Sequence, residues 1–178
     1  NNKLSQCHVH HTNIWGSDYE SLVEIGGVEN VIADCKLQDT GRDGVYVYPE
    51  RTLNKCLIVH NEIWNCGLIA MDCGAIYTYS DDGGGTEIAY NKIHDVDVKV
   101  TVRWNQKLGY GIYLDSMSNN FNVHDNLVYR VVSSGLYLHQ QSKGNHVYNN
   151  TVIGSDIPGA NDGVILSNAG TGTGIILV

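Results

Sequence analysis

Asp115 and His139, with the neighbouring acidic pair Asp81 and Asp82, are the residues whose types and spacing best suit chemistry. Hydrolysis of a glycosidic bond needs one protonated carboxyl to assist the leaving oxygen and one ionised carboxylate to activate water or attack carbon. A histidine beside such a carboxylate orients it or shuttles its proton. Six tyrosines, Tyr46, Tyr48, Tyr77, Tyr79, Tyr113 and Tyr137, recur around these groups as candidate contacts for sugar rings. Arg103, Trp104 and Lys107 form a separate cluster suited to clamping a substrate carboxylate or stacking on a ring.

The elements that must position these residues are written in a repeat. Gly111-Ile112-Tyr113-Leu114 is followed by Asn126-Leu127-Val128, and Gly135-Leu136-Tyr137-Leu138 by Asn150-Thr151-Val152 at the same offset. Self-similarity at such a period predicts a stacked solenoid. One half of the repeat reads apolar-x-x-Asn-x-apolar and has six copies, anchored on Thr12, Cys35, Asn61, Asn91, Asn126 and Asn150. The other half reads apolar-x-apolar after a small residue, as in Val23 to Ile25, Val45 to Val47, Ile76 to Thr78, Ile112 to Leu114, Leu136 to Leu138, Val164 to Leu166 and Ile175 to Leu177. These strands are too short to be stable alone and gain partners only by stacking about 4.8 Å apart. The anchor asparagines then form a ladder inside a turn, each amide bonding the next.

Strand alternation sorts the outward residues into two files. The first is Glu24, Tyr46, Tyr77, Tyr113, Tyr137 and Ile165, and the second is Gly26, Tyr48, Tyr79, Asp115, His139 and Ser167. The aromatic first file, four coils long, gives a platform of roughly 15 Å, and in the second file Asp115 sits between Tyr79 and His139 although aspartate is disfavoured in strands. Asp81 and Asp82 lie at the turn after Tyr79, roughly 8 to 10 Å from Asp115, nearer the separation of inverting than of retaining glycosidases. Anchor spacings of 23, 26, 30, 35 and 24 residues place insertions at 67–74 and 95–110, each just before an Ile-Tyr strand, where they should wall one end of the file. Insertions in a solenoid gather on one face, often the binding face.

Composition narrows the partners. The 178 residues are 42% hydrophobic and 17% charged, which suits one domain over residues 1–178 with a sizeable core. A net charge of −8 gives no basic footprint for nucleic acid or an acidic membrane surface, and no apolar run is long enough to span a bilayer. Five cysteines in no zinc spacing read as buried thiols, with Cys66 and Cys73 the one pair to examine for a disulfide. No cofactor or metal is expected. His8, His10, His11 and His60 lack clustered carboxylates, and Asp81-Asp82 with three glycines, although able to offer oxygens to calcium, lacks an EF-hand spacing. Neither end carries a polar cap, which suggests an excerpt of a longer chain or a unit that stacks end to end.

The pattern I-x-x-N-x-I followed by G-I-x-L resembles the right-handed parallel β-helix family, the pectate-lyase-like superfamily, over nearly the whole chain. The resemblance implies an all-β fold of about six coils with three strands each, an Asn-ladder turn between the second and third strands, and an active-site groove along the first. The stretch GAIYTYSDDGGGTEIAYNKIHD followed by GIYLDSMSNNFNVHDN is similar to bacterial secreted β-helix proteins that act on carbohydrates. It carries neither the Asn-Thr-Asp nor the Gly-His-Gly motif of polygalacturonases, which argues against a pectin hydrolase. The expectation is therefore an extracellular glycoside hydrolase acting on a polysaccharide. Its rivals are a polysaccharide lyase, for which Arg51, Arg103, Lys107 and Arg130 would supply the positive charge, and a non-catalytic adhesin, tailspike-like stalk or filament subunit.

Overall fold

Each coil holds three apolar stretches that it cannot bury by itself, and stacking buries them together. In the computed structural model, which describes residues 1–15, 20–48, 52–99, 107–154 and 163–166, they form three parallel sheets of six strands each. The first sheet contains β1 (Lys3–Ser5), β4 (Val31–Ala33), β7 (Leu57–Val59), β10 (Glu87–Ala89), β13 (Asn122–His124) and β16 (His146–Tyr148). The second contains β2 (His8–Thr12), β5 (Lys36–Thr40), β8 (Glu62–Cys66), β11 (Lys92–Val96), β14 (Leu127–Val131) and β17 (Thr151–Ile153). The third contains β3 (Ser21–Ile25), β6 (Asp43–Val47), β9 (Asp72–Tyr79), β12 (Leu108–Asp115), β15 (Ser134–Leu138) and β18 (Val164–Leu166). Every chain neighbour in a coil belongs to a different sheet, so each strand pairs only with its counterparts one coil away. The repeat Ile175 to Leu177 lies outside the described residues.

The apolar positions of all three sheets meet on the axis. Leu37, Val45, Val47, Ile58, Ile63, Ile76, Ile88, Ile93 and Leu114 are fully buried and, with Phe121, fill the interior. All five cysteines are free thiols, four of them buried, so Cys66 and Cys73 are core residues and not a disulfide.

The ladder forms on the turn between the first and second sheets, which hold the second and third strands of a coil counted from the third sheet. Nδ2 of Asn61 donates to Oδ1 of Asn91 at 3.1 Å, Asn91 to Asn126 at 3.0 Å, and Asn126 to Asn150 at 2.9 Å. Each Oδ1 also accepts the backbone N–H of the preceding anchor, and Nδ2 of Asn91, for instance, also reaches the Ile58 carbonyl. The N–H of Cys35 continues the pattern by donating to Asn61 at 3.0 Å. The residue before each anchor, Gln6, Asp34, His60, Tyr90, Asp125 or Asn149, has φ between 53° and 57°. That left-handed step turns the chain sharply enough to aim the next side chain inward.

One anchor differs from the sequence expectation. Val9 pairs with Leu37 and Thr12 with Thr40, so the residue matching Cys35 is Cys7 and not Thr12. Leu4 and Val9 flank Cys7 as Ile32 and Leu37 flank Cys35, whereas Thr12 ends a strand of the second sheet. The first spacing is therefore 28 residues instead of 23, and the coil lengths are more even than expected.

Candidate functional site

The outer face of the third sheet carries the expected files as far as Tyr137 and His139, and Ser167 lies outside the described residues. Glu24, Tyr46, Tyr77, Tyr113, Tyr137 and Ile165 pair rung by rung, and Tyr79 pairs with Asp115. The N–H of His139 donates to the Leu114 carbonyl, which puts its side chain one rung beyond Asp115.

The tyrosine file is a packed layer and not an open platform. Tyr46 stacks on Tyr77 at 5.6 Å and Tyr113 on Tyr137 at 5.1 Å, with interplanar angles of 22° and 13°. Tyr77 meets Tyr113 edge-on at 5.2 Å and 62°, so two stacked pairs are joined by one tilted contact, and the Tyr77 hydroxyl is turned to Asp115. Tyr77 and Tyr113 are 7% and 3% exposed, whereas Tyr79 in the second file is 45% exposed.

Asp115 is the most heavily bonded side chain on this face. Its Oδ1 accepts Nδ1–H of His139 at 2.5 Å and the Ser116 N–H at 2.7 Å, and its Oδ2 accepts the Tyr77 hydroxyl at 2.9 Å. Burial alone pushes the Asp115 pKa up, but these donors, led by His139, outweigh it and hold the carboxyl below its ordinary value. An ionised carboxylate only accepts, so Nδ1 of His139 carries the hydrogen of that bond. Burial and the Asp115 charge raise the Tyr77 pKa, which keeps that phenol a donor.

Two further carboxyls share this face and were not expected. The alternation of the third sheet breaks at its entry corner, where Gly44, Ala75 and Gly111 occupy one small-residue column against the core. A Cβ on Gly44 would come within 2.5 Å of Ile63, and one on Gly111 within 2.5 Å of Val128. Two successive residues thus face inward, and the residue before them is turned out. Asp43 is turned out in this way in β6, as is Tyr110 in β12, whose ring lies 4.4 Å from that of Tyr113. Asp43 accepts the Gly74 N–H at 2.9 Å and pairs with Nε of Arg42 at 3.1 Å. Burial pushes its pKa up to about 7 against the opposing pull of Arg42. Asp72, which opens β9, has a buried Oδ1 without a hydrogen-bond partner among the described residues. Its pKa is raised by burial first and by the charge of Asp115 second. The same coils hold a cavity of about 460 Å³ lined by Arg42, Asp43, Tyr46, Tyr48, Tyr77 and Tyr79.

These coils are matched from end to end by a family model for the right-handed β-helix region, over residues 1–177. The chain belongs to that family. No curated protein and no solved structure matches it. Membership in the β-helix family accounts for the scaffold and leaves the chemistry to particular side chains.

The β-helix does not bring Asp81 or Asp82 into hydrogen-bond contact with Asp115 among the described residues. Oδ1 of Asp82 accepts the Gly84 N–H at 3.0 Å and Nδ2 of Asn120 at 2.9 Å, a turn-closing role. Asp81 is 6% exposed with a buried Oδ2 lacking a partner among the described residues, and burial raises its pKa to about 6. Lys107 is committed to Asp97 at 2.7 Å, and Arg103 and Trp104 lie outside the described residues. Among the described residues no group of three His, Cys, Asp or Glu is placed to hold a metal ion. Of the missed residues, Asp43 and Tyr110 share a local pattern and Asp72 has none. Arg42-Asp43-Gly44-Val45-Tyr46 and Gly109-Tyr110-Gly111-Ile112-Tyr113 keep a glycine one step before the inward residue, which marks the corner where alternation stops.

Proposed function

We propose that this β-helix is an extracellular glycoside hydrolase that binds a polysaccharide along the outer face of the third sheet, with Asp115 as its ionised carboxylate. The observation that carries the reading is the buried Asp115, held ionised by His139 and Tyr77 beside the tyrosine file. Asp72 is the preferred proton donor. Neighbouring carboxyls whose pKa values are driven apart divide the acid and base roles, and Asp115 itself helps raise Asp72. In the reaction, protonated Asp72 gives its proton to the glycosidic oxygen as the bond to the anomeric carbon breaks. Asp115 takes a proton from the water that adds to that carbon and then releases it to solvent, from which Asp72 is reprotonated, while His139 orients the Asp115 carboxylate. Asp81, also raised, is the alternative acid.

A lyase would need a cation to neutralise a uronate; among the described residues Arg42, Lys107 and Arg130 are each paired with an aspartate, and Arg51 and Arg103 lie outside them. The burial of Tyr77 and Tyr113 favours a second reading, a non-catalytic scaffold, because packed rings need no ligand to explain them. Incubating the protein and its Asp115→Asn, Asp72→Asn and Asp81→Asn variants with a polysaccharide panel separates these. Release of reducing ends by the parent, lost by about 10³-fold or more in Asp115→Asn and Asp72→Asn, is expected. Products with ultraviolet absorbance would assign a lyase, and no depolymerisation of any polymer would leave the scaffold reading.

A further inference from the structure

The cavity beside Asp115 has a floor and walls of different chemistry. On the floor, Arg42 and Asp43 form an ion pair whose side chains are 13% and 4% exposed, and Arg42 also lies 5.2 Å from the centre of the Tyr77 ring. The walls are Tyr46, Tyr48, Tyr77 and Tyr79. A volume of about 460 Å³ lies within the roughly 300 to 1,000 Å³ of small-ligand sites.

We propose that this cavity is a subsite for one uncharged sugar ring of the substrate, and that the Arg42–Asp43 pair makes it reject uronates. This rests on the carbohydrate reading of the same face. A neutral hydroxyl both donates and accepts, so adjacent hydroxyls satisfy a guanidinium, a carboxylate and phenols together. A uronate carboxylate only accepts. It competes with Asp43 for Arg42 and meets the negative charge of Asp43, with Asp72 and Asp115 on the same face. Like charges held close at the low effective dielectric of a protein surface repel, and a partial share of that repulsion is worth tenfold or more in affinity. The groups facing Asp43 are Arg42 beside it, Asp72 and Cys73 of β9, Cys66 of β8, and Tyr46 and Tyr77. Arg42 is the cation among them, so replacing Asp43 unmasks positive charge.

The test is calorimetric binding at pH 8, above the Asp43 transition, in the Asp115→Asn background, so that turnover does not enter. The probes are neutral hexasaccharides of xylose, glucose and galactose against hexagalacturonate. The expected result is binding of at least one neutral probe, at least tenfold tighter than hexagalacturonate. Tyr48→Ala should weaken that binding about tenfold, and Asp43→Asn should move the neutral-to-uronate ratio at least tenfold toward the uronate. If Asp43→Asn does not fold, the probe ratio and Tyr48→Ala still decide. Tighter binding of hexagalacturonate, or unchanged neutral binding in Tyr48→Ala, overturns the subsite while leaving hydrolysis at Asp115 standing. Binding of no probe overturns the subsite and, with an inactive parent, the carbohydrate reading as well.

Discussion

Two columns of side chains run along this solenoid, and they are built on opposite rules. The ladder of Asn61, Asn91, Asn126 and Asn150 repeats one residue, and each amide is satisfied by the copy above it and the backbone around it. The column of Tyr48, Tyr79, Asp115 and His139 changes chemistry within four rungs. Asp115 borrows its donors from a neighbouring coil, from the adjacent tyrosine file and from the next residue. A repeat of like groups gives a column that is self-sufficient and inert. A column of unlike groups leaves charges whose values depend on their neighbours, which is the condition for reactivity.

Substitutions can break this contrast from either side. The largest effect is expected in the ladder. Asn91→Ala removes the middle amide and orphans the Asn61 N–H and the Ile58 carbonyl, at about 3 kcal/mol or more of stability by denaturant titration. A loss below about 1 kcal/mol would show that the ladder decorates the turn without holding it. Next is Asp81, whose charge is suppressed by burial. A carboxyl whose folded pKa is raised to about 6 weakens the fold progressively as pH climbs from 3.8 toward 6. Asp81→Asn should therefore stabilise the protein by on the order of 1 to 3 kcal/mol at pH 8 and by almost nothing at pH 3, measured by thermal unfolding at both.

A smaller effect of opposite sign is expected at Asp115. Its folded pKa is depressed, so its contribution is present above the ordinary carboxylate range and is lost as pH falls through the folded value. His139→Ala removes the leading donor, lifts that value and should move acid unfolding to higher pH at a cost of about 1 kcal/mol near neutrality. An unmoved acid transition would mean that Tyr77 and Ser116 suffice. The smallest effect is Cys35→Asn, which adds one rung where the Cys35 N–H already meets Asn61. A gain of about 0.5 to 1 kcal/mol is expected in chemical denaturation.

The scaffold was legible because it repeats. Six apolar-x-x-anchor-x-apolar copies predicted stacked coils and the register of the tyrosines, the resemblance to β-helices implied three strands per coil, and the error at Thr12 arose where cysteine replaced asparagine. Asp115 and His139 were legible as departures from that repeat. Asp43 and Asp72 were not, because strict alternation hides Asp43 inside and places Asp72 in a loop. The corner at Gly44 and Gly111 turns Asp43 outward, and β9 begins early enough to carry Asp72 as a strand residue. The tyrosine file was read as a platform because sequence gives the row of rings but not their tilt.

The uneven spacing of the ladder has a kinetic meaning. Successive asparagine anchors are 30, 35 and 24 residues apart, so the ladder contacts bridge one turn of the solenoid and none reaches across the molecule. Folding that spreads outward from a nucleus, one coil templating the next, suits such short-range closure. Closing the 35-residue coil instead of the 24-residue one adds only about 0.3 kcal/mol of loop entropy. The chain can therefore lengthen the segment leading into the Asp115 strand with almost no loss of speed or stability, which makes that segment the natural place to graft a new specificity loop.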